Sequence, residues 1–165
     1  MELLLLRHAK SDWSSGVRSD HARPLNARGQ AAAPRMGRFL REQGLQPHRT
    51  LCSTATRTRE TWALLSAQWD QAGPCSFEEA IYEASPHSLR QLIAPALAPQ
   101  QRLLLIGHNP GLQNLLHQLL AQPLPAEQKA FPTCALAHVR LQDQDPLAAH
   151  SAELLHLQYV RALDR

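Results

Sequence analysis

The chain has 165 residues, a formal net charge of +3 and 5% aromatic residues, a size that suits one ordinary domain with one core. Arginine carries nearly all the positive charge, Lys10 and Lys129 being the only lysines, and no basic run is interleaved with aromatics, so nucleic acid is not an expected partner. Cys52, Cys75 and Cys134 are odd in number and widely spaced, which indicates neither a disulfide framework nor a zinc knuckle and suits thiols in a reducing cytosol.

Residues 2–7 begin the pattern. Leu3 to Leu6 form an apolar run that stops at Arg7-His8, the signature of a strand buried on both faces. The run is too short for a signal-peptide core or a bilayer span, so the expected location is cytoplasmic, away from any membrane. Residues 9–25 are polar and form a long loop, a length that in compact domains usually carries function. Asn26 is placed to cap a helix running to about Gln43 and closed by Gly44, with Ala32, Met36, Phe39 and Leu40 as its apolar stripe. Pro34 inside it predicts a late start or a kink.

Arg49 to Ser53 is a second strand. A helix follows from about Thr54, with Trp62, Leu65 and Trp69 on one face, ending before Gly73-Pro74; Cys75 to Phe77 is a short third strand. Ser85 as N-cap and Pro86 at the first helical position open a helix whose stripe is Leu89, Leu92, Ile93 and Leu97, terminated by Pro95 and Pro99. Residues 102–107 are a second long buried strand and stop at His108. Asn109-Pro110 then opens a helix carrying Leu112, Leu115, Leu116, Leu119 and Leu120, the strongest helical period in the chain. After a proline-containing loop (123–132), residues 134–141 and 153–160 alternate as two antiparallel strands. Strand and helix alternate throughout, so the expected architecture is α/β: a three-layer sandwich with a mainly parallel sheet covered by helices on both faces. It is expected to be one domain over residues 1–165, without repeats or linkers.

In open parallel sheets ligands bind where the strands end. Two such strands deliver His8 and His108 to that edge, one beside Arg7, which points to a site for an anion that undergoes chemistry. The Asn109-Pro110-Gly111 turn is expected to offer unpaired amides at the positive end of a helix dipole. Arg57, in the first turn of its helix, opposes that helix's dipole, a conflict that marks it as having a job; Arg59 or Glu60 is expected to be its solvated neighbour. The remaining histidines have ordinary readings. His21, His48, His87 and His150 are expected to be exposed, His117 to sit outward or at a boundary, and His138 and His156 to face solvent. No HxH or HExxH pair exists, so no metal site is expected.

Taken together, Arg7-His8, the Ser53…Arg57…Thr61 helix start and Gly107-His108-Asn109-Pro110-Gly111 resemble the histidine phosphatase superfamily. Arg23-Pro24-Leu25 followed by Gly29, and Tyr82 through Pro86, narrow the resemblance to the SixA-like phosphohistidine phosphatases. The match spreads over the whole chain in the family's order and spacing. It departs at Ala9, where the family usually has glycine, and at Ser53-Thr54, where Ser-Pro is frequent. The resemblance implies a phosphoglycerate mutase-like fold with no cap domain, because the interval 58–107 holds no helical insertion, and hence an open, shallow site. It implies that His8 is the nucleophile, forming a phosphohistidine intermediate, and that Arg7, Arg57 and His108 hold the phosphoryl oxygens. Arg23 and Asn109 would add substrate contacts, and no cofactor or metal is required. Glu83 is the choice for a general acid over Glu78 and Glu79.

The expected function is removal of phosphate from phosphohistidine on a protein, such as a phosphorelay transfer domain or a phosphotransferase carrier. The expected partners are that phosphorylated protein and phosphate ion, with a monomer favoured. The alternatives are a broad phosphomonoesterase acting on small phosphate esters and a non-catalytic phosphate-binding module.

Overall fold

The computed structural model describes residues 1–163. Six strands form one sheet in the order β3-β2-β4-β1-β5-β6, with β1 Glu2–Arg7, β2 Arg49–Ser53, β3 Cys75–Glu78, β4 Arg102–Gly107, β5 Leu136–Arg140 and β6 Glu153–Gln158. The first four are mutually parallel; β5 runs antiparallel to β1, and β6 antiparallel to β5. Leu3 pairs with Leu103 and Arg7 with Gly107. His8 and His108 therefore leave neighbouring central strands at the same height.

The four leucines of β1 are split between two cores by the strand's two-residue period. Leu3 and Leu5 pack with residues of α3 (Pro86–Ile93) and α4 (Gly111–Leu119), among them Leu89, Ile93, Leu112 and Leu116. Leu4 and Leu6 pack with residues of α1 (Ala27–Glu42) and α2 (Thr56–Ser66), among them Met36, Leu40 and Leu65. Two helices thus cover each face, giving the three layers that the alternation of elements predicts. Between α2 and β4 the chain makes only β3, α3 and two 3₁₀ turns, at Glu79–Ile81 and Ala94–Ala96, so nothing caps the C-terminal edge from that interval.

Several boundaries differ from the sequence expectation, each for a local reason. α1 starts at Ala27 rather than late: Asn26 accepts the Gly29 N–H as its cap, and Pro34 is carried inside the helix. Gly29 is required there, because a Cβ would lie 2.1 Å from the Lys10 carbonyl oxygen, and this close approach seats α1 against the segment leaving β1. α2 starts at Thr56, two residues late, and ends at Ser66; Trp69 lies beyond it but is still buried, donating from Nε1 to Gly37 O at 2.9 Å. α3 ends at Ile93, leaving Leu97 partly buried after the 3₁₀ turn. α4 ends at Leu119, and Leu120 instead bridges to Ala152. His138 faces no solvent: it is 5% exposed, with Nε2 2.8 Å from Glu2 Oε2. β5 is paired on both sides, so the side chains on either face have neighbours.

Candidate active site

His8 follows the last residue of β1 and is 6% exposed. Its Nδ1 lies 2.7 Å from Ala9 O. A carbonyl can only accept, so Nδ1 carries the hydrogen and Nε2 keeps its lone pair. Burial pushes its pKa down to about 3 against the opposing pull of the Ala9 carbonyl, and the guanidiniums of Arg57, Arg7 and Arg23 push the same way. The imidazole is therefore neutral at physiological pH.

His108, after β4, is 9% exposed, and its ring centroid lies 5.3 Å from that of His8. Its Nε2 is 2.8 Å from Ser53 Oγ, and its Nδ1 is buried without a hydrogen-bond partner. Burial first, then His8 and Arg57, lower its pKa to about 3. The Ser53 hydroxyl also accepts the Ala55 N–H at 3.3 Å, so one side chain at the end of β2 ties the start of α2 to the second imidazole.

Arg57 is 5% exposed rather than solvated. It donates from Nη1 to Asp20 O at 2.8 Å and from Nη2 to Asp20 Oδ2 at 3.0 Å, and its Nε is buried without a partner. Arg7 donates from Nη1 to Phe131 O at 3.2 Å, while its Nε is likewise buried and unpartnered. Arg23 is buried at the same site. It donates from Nε and Nη2 to Asp20 Oδ1 at 3.3 and 3.0 Å and from Nη1 to Ser11 Oγ, and its guanidinium stacks 3.6 Å over the Trp13 ring. A hydroxyl behind the site joins its halves: buried Thr61 accepts the Ala9 N–H at 3.0 Å and donates to Arg57 O at 2.7 Å.

The structure brings Arg7, His8, Arg57, His108 and Arg23 together. Glu83 is exposed, with φ 55°, on the rim of a cleft of about 520 Å³ that Asp20, Arg57, Tyr82 and His108 also line. Asn109 lines the same cleft, but its side chain serves the fold: Nδ2 donates to Phe131 O at 2.8 Å and Oδ1 accepts the Gln113 N–H at 3.3 Å. In the first turn of α4 the Gln113 N–H is thus engaged, and the Leu112 N–H bonds His108 O at 3.0 Å. Glu60 is pinned as well, accepting the Leu25 N–H at 2.8 Å, and Arg59 alone of that pair is exposed.

Three groups at the site escaped the reading of the sequence: Asp20, Tyr82 and the hydroxyl of Ser53. The last two stand inside motifs that were noticed without a role; Asp20 lies in an irregular loop where no period marks it. His21, expected to be exposed, is half-buried, with Nε2 2.9 Å from Thr54 Oγ1 and its ring 5.0 Å edge-on from Tyr82. Among the described residues no group of three or more His, Cys, Asp or Glu side chains could hold a metal ion. The donor set is instead guanidinium and neutral imidazole, suited to a polyvalent oxyanion.

Residues 3–92 match the sequence profile of the histidine phosphatase superfamily, branch 1. An uncharacterized protein of Mycobacterium tuberculosis is 33% identical over 142 residues, covering 82% of this chain and 87% of that one. An uncharacterized chloroplastic protein of Arabidopsis thaliana is 32% identical over 126 residues; the match covers 71% of this chain but only 58% of that relative's length. The crystal structure of a candidate phosphohistidine phosphatase SixA from Agrobacterium tumefaciens aligns with a TM-score of 0.79 at 25% identity, over 96% of this chain and 97% of that one. With two imidazoles and their arginines at the edge where the motifs lie, and a profile spanning more than half its length, this chain belongs to the histidine phosphatase superfamily and is SixA-like in fold.

Proposed function

We propose that the protein is a phosphohistidine phosphatase that removes phosphate from a phosphorylated histidine on a protein, through a covalent phosphohistidine on His8. The observation that carries this reading is a lone pair held on His8 Nε2 beside three buried, unpartnered nitrogens, Arg7 Nε, Arg57 Nε and His108 Nδ1. His8 Nε2 attacks phosphorus, the bond from phosphorus to the substrate imidazole nitrogen breaks with its electron pair staying on that nitrogen, and the ring departs as a neutral imidazole whose other nitrogen already carries a proton. Water then attacks the phosphohistidine, restoring His8 and releasing inorganic phosphate. Arg7 and Arg57 stay in place to neutralise charge on the phosphoryl oxygens as it redistributes. We assign the Ser53 hydroxyl as donor to His108 Nε2, which leaves the hydrogen on His108 Nδ1 to face an oxygen. Arg23 joins the oxygens from the long loop, and the fold-bound Asn109 acts by holding the strand-to-helix turn.

A substrate imidazole is a far better leaving group than an alkoxide and needs no strong acid to depart. Glu83, on the rim, fits the competing phosphomonoesterase reading, in which it would protonate an ester oxygen. The uncapped edge supports a phosphorylated side chain on a protein surface as substrate, and the donor set needs no metal or cofactor. On this reading the protein works as a single-domain cytoplasmic monomer.

One experiment tests both readings. His8→Ala should lose turnover and the acid-labile phosphoenzyme that wild type forms with radiolabelled phosphohistidine protein; retention of both overturns the proposal. Glu83→Gln should slow aryl or alkyl phosphate hydrolysis by roughly 10²-fold, the lower end of acid catalysis, and leave phosphohistidine hydrolysis near wild type. Equal loss on both substrates overturns the leaving-group role of Glu83, and a kcat/KM on small phosphate esters above that on phosphohistidine protein favours the esterase reading.

A further inference from the structure

The long loop after β1 supplies an anion of its own to the arginines. Asp20 Oδ1 takes two donors from Arg23, Oδ2 takes Arg57 Nη2 at 3.0 Å and the Tyr82 hydroxyl at 2.6 Å, and Asp20 O takes Arg57 Nη1 at 2.8 Å. One residue thus gathers side chains from the loop, α2 and the turn before α3. These bonds, the one from Tyr82 foremost, hold its carboxyl down at a pKa of about 2, so it is ionised throughout the working range. The loop around it is stiffened by the Arg23–Trp13 stack and by the Asp12 N–H bond to Pro24 O at 2.8 Å.

We propose that Asp20 is a positioning and specificity-determining residue: it fixes Arg23 and Arg57 at the mouth and cancels one guanidinium charge, so that the pocket holds a tetrahedral oxyanion less tightly. Arg7, Arg23 and Arg57 bring three positive charges and the imidazoles none; Asp20 reduces the sum to two, the charge of a phosphoryl dianion. Without Asp20 the pocket would hold that dianion with one cation in excess. Phosphate, the product, would then leave slowly. The inference deepens the proposed function and depends on the pocket being a phosphoryl site.

The test is calorimetric titration of the full chain with tungstate and with inorganic phosphate, comparing wild type with Asp20→Asn and Asp20→Ala. Asn keeps an acceptor for Tyr82 and removes the charge. Both variants should bind either anion about tenfold more tightly, a modest share of the interaction of two charges a few ångströms apart in a partly screened site. The gain should shrink as salt is raised, a response that a purely structural role would not produce. In turnover, product inhibition by phosphate should deepen. Binding that is unchanged or weaker in the variants overturns the inference, as does failure of both variants to fold, which would make Asp20 a structural clamp. A wild-type protein that binds neither anion overturns the phosphoryl-site reading itself and this inference with it.

Discussion

The two ends of the central strands carry the same residue types and do opposite things with them. At the N-terminal edge, Glu2 Oε2 takes Arg102 Nε at 2.9 Å and His138 Nε2 at 2.8 Å, while Arg102 also donates to the carbonyls of Gly44 and Gln46. At the C-terminal edge three guanidiniums and two imidazoles meet one engaged carboxylate, and Arg7 Nε, Arg57 Nε and His108 Nδ1 bond nothing. Burial does not separate the two clusters, since His138 and His8 are equally enclosed. Pairing does. A buried polar atom without a partner costs free energy that a finished structural cluster would not leave unspent, so the shortage of counter-charge marks the end that awaits a ligand.

The sharpest way to break this contrast is to remove one charged side chain from each end. Arg57→Ala should lower kcat on phosphohistidine protein by roughly 10²–10³-fold, as expected for deleting one donor to transition-state oxygens. Glu2→Ala should leave kcat unaltered yet lower unfolding free energy by about 1–3 kcal/mol, because it strands donors of the buried His138 and the half-buried Arg102. Chemical denaturation and steady-state rates measured on both variants check the pair. If Glu2→Ala damages turnover as much as stability, the two ends are not independent.

A subtler difference concerns protons. His8 and His108 have pKa values near 3 in the folded protein against 6.5 for a free imidazole. Above pH 6.5 neither state binds those protons and the stability is fully present. As pH falls from there toward 3, the unfolded chain takes up protons that the folded one refuses, so stability is lost at up to about 1.4 kcal/mol per pH unit for each ring. In the ligand-free protein the ring C–H resonances of both histidines should stay at neutral-imidazole positions between about pH 8 and pH 5. Titration of either ring with a midpoint near the free value would refute the neutral-nucleophile assignment.

What could be read from the chain follows from what each feature depends on. The buried strands announce themselves because Leu3–Leu6 and Leu103–Ile106 are apolar without interruption, and the helical stripes because packing on a sheet demands their period. Arg57 was legible because a cation in a first helical turn needs an external reason, which Asp20 supplies. Asp20 itself was not, since an irregular loop has no periodicity and, Arg23 apart, its partners lie 37 and 62 residues away. His138 misled because alternation reports two faces, and only the register of β5 against β1 reveals that Glu2 waits beside it. The early start of α1 shows a cap and a close backbone contact outweighing the discomfort of an internal proline.

The Thr61 hydroxyl carries a consequence for anyone who would redesign this protein. It accepts from the amide that follows His8 and donates to the backbone of Arg57, so one oxygen rivets strand and helix at the site. Valine would match its outline while cutting both bonds. Widening the pocket by shifting helix α2 would drag the imidazole along, and a broader specificity is therefore more accessible through the surrounding loops than through this joint.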